Sequence, residues 1–312
     1  MARIIPKHGS EETPKSHTQI EPKRGESLLD RRAREEFEGM YSRVSGLLES
    51  KTGMKIPDKE RLVVKFEEDL ASGGHRAFGT YSKDHEMQVD MNKLRDLAVV
   101  RHIAADTTKS EEVRRDATIE ARRTTRQIEE MIAHELVHAI RRATMFDKQL
   151  GRNIVSPPAE EALATFVSSI VVGHNSEEVE RGLYSSMAHA RPIIDGAARE
   201  KDLTYKHEPG YSNMDNMGMQ DYRNSARSAP GYVIGYMAAL TVVHGNDEPK
   251  TNLAKEVMGE QDPVKLLSRL IDLATIQNPS NHALVQAREM MQGYVKNFRE
   301  FERFMDTMGS IH

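Results

Sequence analysis

The 312-residue chain contains no cysteine and no tryptophan, and aromatic residues make up only 5% of it. Without thiols there are no disulfides and no cysteine-ligated metal, so a bound metal ion would have to be held by histidine and carboxylate. Strong charge of one sign is also missing. The formal net charge is -4 and the pI about 6.4, which gives no global attraction to nucleic acid or an anionic membrane. The N-terminal stretch has no apolar run of signal-peptide length and no segment approaches the length of a bilayer span, so the expected setting is cytoplasmic, with no membrane partner. With 38% hydrophobic residues the chain can still bury a sizeable core, as one large domain or a pair of lobes.

Against this background one stretch stands out: Met131-Ile132-Ala133-His134-Glu135-Leu136-Val137-His138-Ala139-Ile140. Its centre is H-E-x-x-H, in which two imidazoles four residues apart on a helix point the same way and can grip one zinc ion, with a glutamate between them placed to handle a proton. A shuffled chain of this composition would hold on the order of 0.05 such matches, so context has to support the motif. The flanking Ile132, Ala133, Leu136, Val137, Ala139 and Ile140 make the helix read as buried, where unpaired His and Glu would be costly. A catalytic zinc needs a third protein ligand. Continuation into H-E-x-x-H-x-x-G-x-x-H fails, because positions 141 and 144 are Arg141 and Thr144. Downstream of the turn signal Ser156-Pro157-Pro158, a second apolar helix begins at Ala159-Glu160-Glu161-Ala162-Leu163-Ala164-Thr165-Phe166.

His134-Glu135-x-x-His138 followed 23 residues later by Glu161-Ala-Leu-Ala164-Thr-Phe166 resembles the gluzincin group of zinc metallopeptidases, whose glutamate helix often reads E-G-L-A-T-Y. The resemblance implies one zinc per chain with His134, His138 and Glu161 as ligands and Glu135 as catalytic base. Ala162 stands for the usual glycine and Phe166 for the tyrosine, both within the same size class. Ala164, one turn after Glu161, would let the two helices approach closely. Glu160 competes with Glu161, but the two point about 100° apart on a helix and only one can face the metal; Glu161 is favoured. A more distant likeness is to zinc-peptidase domains that cleave transcriptional repressors. The useful likeness covers about residues 75 to 172.

Residues 1–25, polar and punctuated by Pro6, Pro14 and Pro22, read as a disordered tail. An amphipathic helix is expected over 26–50, then β-rich runs at 62–66, 77–81 and 87–91, the last two joined as a hairpin. In zincins a small sheet lies above the motif helix and its edge strand pairs with extended substrate; Ala77-Phe78-Gly79-Thr80-Tyr81 resembles that edge. Helices follow at 93–104 and 111–146. Arginines in the first half of the latter are interleaved with Asp and Glu, the pattern of a solvated face, so no nucleic-acid partner is expected.

The later chain reads as helical at 176–198, 229–243, 251–259, 263–275 and 281–307, with a long polar loop over 205–227. Pro230-Gly231-Tyr232-Val-Ile-Gly235-Tyr236 is read as opening a helix. It is similar to a gluzincin phrase in which an aromatic hydroxyl or a nearby histidine helps to stabilise the tetrahedral intermediate, which makes Tyr232 the candidate and Tyr236 the reserve. The competing view makes both core tyrosines, with Gly235 allowing close helix packing. His189, His207 and His244 carry no assignment, and the 17 methionines fill helical cores. The expected architecture is α+β and predominantly helical: a zincin-like N-terminal lobe over 26–148, with a small antiparallel sheet on the H-E-x-x-H helix, and an all-helical C-terminal lobe over 149–312. The expected function is a zinc-dependent peptidase acting on peptide or protein substrates. The alternatives are an inactive or regulatory zinc-binding module, and a helical interaction protein whose motif is accidental.

Overall fold

The computed structural model describes residues 27–56, 63–68, 79–81, 86–144, 146–147, 152–153, 157–199, 219–243, 247–276 and 281–296. The expected tail over 1–25, the loop over 205–218, His207, His244 and the last helical expectation beyond 296 lie outside these residues.

The first helix, α1 (Leu28–Thr52), starts where the Ser27 hydroxyl accepts from the Asp30 amide at 3.1 Å and stops at Gly53, whose φ of 70° suits a residue without a Cβ. Its buried residues Ala33, Phe37, Met40, Val44 and Leu48 recur every three to four positions, the stripe of a helix lying on a core. Three strands follow: β1 (Val63–Glu67), β2 (Gly79–Tyr81) and β3 (Glu86–Asp90). The expected hairpin is present, with Gly79 opposite Val89 and Tyr81 opposite Met87. β1 takes the other side of β3 in parallel, Val63 beside Glu86 and Glu67 beside Asp90. The sheet order is therefore β1-β3-β2, and the sheet is mixed where alternation alone suggested an antiparallel one. Side-chain alternation is the same in both directions, so the pattern could not carry that information. β2 is an edge strand and lies against the motif helix.

Asp90 ends β3 and caps α2 (Met91–Ala105), its carboxylate accepting from the amides of Asn92 and Lys93. The 34-residue α3 (Glu111–Thr144) comes next, then a two-residue ladder of β4 (Phe146–Asp147) and β5 (Arg152–Asn153). α4 (Pro157–Val172) is buried on nearly every side: Ala159, Ala162, Leu163, Ala164, Phe166, Val167, Ile170 and Val171 are core residues, and the Ser169 hydroxyl donates to the Thr165 carbonyl inside the helix. Its C-terminal carbonyls at Ile170 and Val171 accept from Lys51 Nζ on α1.

The remaining helices are α5 (Ser176–Arg199), α6 (Met219–Val242), α7 (Asp247–Met258), α8 (Pro263–Ile276) and α9 (His282–Lys296). α6, α7 and α8 pack on α4 while α5 and α9 pack on α6, and one hydrophobic cluster runs from Ala33 of α1 to Met291 of α9. Two expectations are corrected here. The segment 219–227 is helical rather than loop, and Pro230 sits inside α6 rather than at its start. A proline there forgoes one backbone hydrogen bond, a cost outweighed by the burial of Ala229, Val233, Ile234 and Met237. Among the described residues no helix is long and apolar enough to cross a membrane.

Candidate metal centre

Along α3, the positions Arg126, Glu130, His134, His138 and Arg141 recur at intervals of four, four, four and three and so share one face. That face meets α4 and α6, and each of its polar side chains has a partner there or on α5. The neighbours on the other faces, Ile132, Ala133, Leu136, Val137 and Ile140, are fully buried, which holds the helix in one rotation.

At the centre, His134 Nε2 lies 2.9 Å from Glu161 Oε2, His138 Nε2 lies 3.4 Å from the same oxygen, and the two imidazole nitrogens are 3.1 Å apart. The rings stand nearly edge to face, 79° between planes, so that both nitrogens converge on one point. His134, His138 and Glu161 are the one group of three metal-ligating side chains among the described residues, with ligand atoms all within 4.8 Å of one another. Two imidazoles and one carboxylate, converging in a buried place with no thiol nearby, fit a divalent ion that prefers nitrogen and oxygen ligands and keeps a position open.

The charges around the cluster reinforce one another. Burial alone would push His138 down, but the carboxylates of Glu161, Glu135 and Glu160 more than reverse this and hold it up at about 9. Burial would likewise raise Glu161, yet the two imidazoles outweigh that and keep its carboxyl well below the usual carboxylate range. Glu161 is therefore anionic at any ordinary pH, as a ligand must be. Glu135 is 8% exposed, on the helix between the two histidines, and its charge reaches both His138 and Tyr232.

Tyr232 of α6 stacks on His134, with ring centroids 5.8 Å apart and planes 12° from parallel. Its hydroxyl hydrogen-bonds Glu161, and burial together with the Glu161 and Glu135 carboxylates raises its pKa well above the ordinary tyrosine value. It is thus a neutral donor inside the cluster. Two glycines bring α6 this close. A Cβ at Gly231 would meet the Pro158 carbonyl and, at 2.8 Å, the Cβ of Glu161; one at Gly235 would meet the Ala162 carbonyl and Thr165 Cβ, each at 2.6 Å. Tyr236, the reserve candidate, points one turn away from the cluster. Its hydroxyl donates to Glu130 Oε1 at 3.1 Å, and Gly182 of α5 leaves room for its ring.

Two features escaped sequence reasoning. Glu160, the competing carboxylate, is turned away from the cluster and grips buried Arg141. His174, its side chain 8% exposed, sits 3.5 Å from Glu130. The first could have been suspected, since Arg141 continues an apolar helical run and a guanidinium there needs a counter-charge. His174 had no such sign. His189, on α5, is not part of the cluster.

The arrangement of His134, His138 and Glu161 is that typical of gluzincin metallopeptidases, a geometry consistent with hydrolysis by an activated water. Comparison of the chain with protein-family models, with curated proteins and with solved structures returns no significant match.

Proposed function

We propose that this protein is a zinc-dependent metallopeptidase. The observation that carries the proposal is the convergence of His134 and His138 of the H-E-x-x-H helix with Glu161 of α4, their ligand atoms within 4.8 Å of one another. Zinc, held by these three side chains, would supply a Lewis acid that makes a water nucleophilic near neutral pH and polarises the scissile carbonyl. Glu135 is the general base: its carboxylate takes the proton of the attacking water and passes it to the nitrogen of the leaving amine. Tyr232 donates its hydroxyl to the oxygen that becomes negative as the carbonyl turns tetrahedral; the raised pKa keeps the donor proton in place. The stack of Tyr232 on His134 limits where that hydroxyl can go.

The substrate class is peptide or protein. Supporting this, β2 is an edge strand among the described residues and lies against α3, a place where an extended peptide could add main-chain hydrogen bonds independently of sequence. We assign residues 26–148 and 149–312 to two lobes of one peptidase unit, because ligands from α3 and α4 come from either side of that boundary. A cytoplasmic setting agrees with the cysteine-free composition.

The test begins with elemental mass spectrometry on protein purified without added zinc, followed by digestion of a broad peptide library with and without chelator. About one zinc per chain and chelator-sensitive cleavage are expected. Protein that neither retains zinc nor takes it up at neutral pH would refute the metal centre, and zinc-loaded protein without cleavage would leave a binding or regulatory module.

A further inference from the structure

We propose that Arg141 and Glu160 form a positioning pair that sets the third metal ligand; the inference rests on the metal-centre reading above. Arg141 lies three residues after His138 on α3, and Glu160 is the residue immediately before Glu161 on α4. Their side chains are only 2% and 9% exposed. Arg141 Nε donates to Glu160 Oε1 and Oε2 at 3.1 and 3.3 Å, and Nη2 to Oε1 at 2.9 Å. Nη1 donates to the carbonyls of Met258 and Glu260 at 2.9 and 2.8 Å, at the C-terminal end of α7. All three guanidinium nitrogens are engaged.

A buried ion pair is a poor source of net stability, because desolvating two charges offsets their attraction and an apolar pair of similar volume would serve as well. Directionality is what it adds. A planar fork accepts a carboxylate in few orientations, so Arg141 defines both the rotation of α4 about its axis and its height along α3. Those two coordinates decide whether Glu161 Oε2 falls 2.9 and 3.4 Å from the two imidazole nitrogens, as it does. The same fork removes Glu160 from competition for the metal. Of two adjacent carboxylates, one is held by a guanidinium and the other is left to ligate. Anchoring to the end of α7 ties this alignment to a third helix, so that α3 and α4 cannot slide together.

The test measures zinc affinity, by competition with a chromophoric chelator, on four full-length proteins, together with the visible spectrum of the cobalt-substituted form. Replacing both partners, Arg141→Met with Glu160→Met, leaves no orphan charge. We expect zinc affinity to fall by about 10- to 100-fold, the range for groups that orient metal ligands, and the cobalt spectrum to change, while the thermal midpoint of chelator-treated protein moves little. Arg141→Lys keeps a cation for Glu160 but not the fork, and secures the test should the double variant not fold; it should lose affinity by at least about threefold. The control is Arg126→Met with Glu178→Met, an ion pair between α3 and α5 that includes none of the ligands. It should keep wild-type affinity and spectrum. Wild-type affinity in both Arg141 variants would overturn the positioning role, as would an equal loss in the control. A wild-type protein that binds no zinc would instead overturn the metal centre itself.

Discussion

Glu135 and Glu161 are carboxylates of one buried cluster, and their surroundings suit them to different tasks. Glu161 has two imidazoles within 3.4 Å and stays anionic, whereas Glu135 lies on α3 between the histidines and is not one of the three clustered ligand groups. Replacing Glu135 by Gln keeps its shape but not its basicity. We expect turnover of a cleaved peptide to fall by about 10²- to 10⁴-fold with zinc affinity unchanged; near wild-type turnover would remove Glu135 from the chemistry. Glu161→Ala should do the converse and weaken zinc binding by more than about 100-fold in equilibrium dialysis, beyond what outer groups cost. Tyr232→Phe should lower kcat by about 10²- to 10³-fold with little change in KM, the signature of a donor used in the transition state; a pure KM effect would make Tyr232 a packing residue. The pairing of His134 with His138 was legible in the sequence because an i, i+4 spacing on an apolar helix already defines a face. Glu161 was already favoured over Glu160 by the likeness of its helix to the gluzincin phrase; what needed the fold was the pairing of Arg141 with Glu160.

Helix α6 reaches the cluster only because it has no side chain at two points. Gly231 and Gly235 lie on α4 so closely that an added Cβ would strike Glu161 Cβ at 2.8 Å or Thr165 Cβ at 2.6 Å. Gly231→Ala and Gly235→Ala should each destabilise by about 1–3 kcal/mol as α6 is pushed outward, and Gly231→Ala should also weaken zinc binding because it presses on the ligand itself. Gly39 and Gly46, on the exposed side of α1, have nothing within 4 Å of the same added carbon. There alanine should stabilise by about 0.5–1 kcal/mol. Chemical denaturation separates the two pairs, and equal effects would refute the close approach. The helices α1, α3, α4 and α5 follow their apolar spacing within a few residues. The start of α6 does not, because Pro230 and the polar residues before it resemble a turn when neighbours are ignored. From Ala229 onward the helix is held by burial against α4, a long-range effect no local pattern contains.

For the whole molecule, the proposed centre should couple folding to protons and to metal. In chelator-treated protein His138 titrates at about 9 against an ordinary 6.5. A folded-state pKa that is raised contributes stability fully present below pH 6.5 and lost as pH climbs towards 9. Glu161 is depressed below its ordinary 4.5, so its contribution is present above that value and fades as pH falls. The metal-free thermal midpoint should therefore be highest between about pH 4.5 and 6.5 and decline by several degrees up to pH 9. Zinc requires both imidazoles neutral, and saturating zinc should abolish the alkaline decline while raising the midpoint at pH 8. A flat metal-free profile would refute the coupling.

Helix α4 has almost no face of its own to show to water, being enclosed by α1, α3, α6, α7 and α8. In deuterium its amides from Ala162 to Val171 have no local route to exchange and should report only global opening, whereas the amides of α2, whose outer face is exposed, should exchange sooner. The carboxylate that completes the cluster would then belong to the last part of the molecule to come apart, and zinc would leave by movement of the α3 or α6 walls rather than by fraying of the helix that carries Glu161.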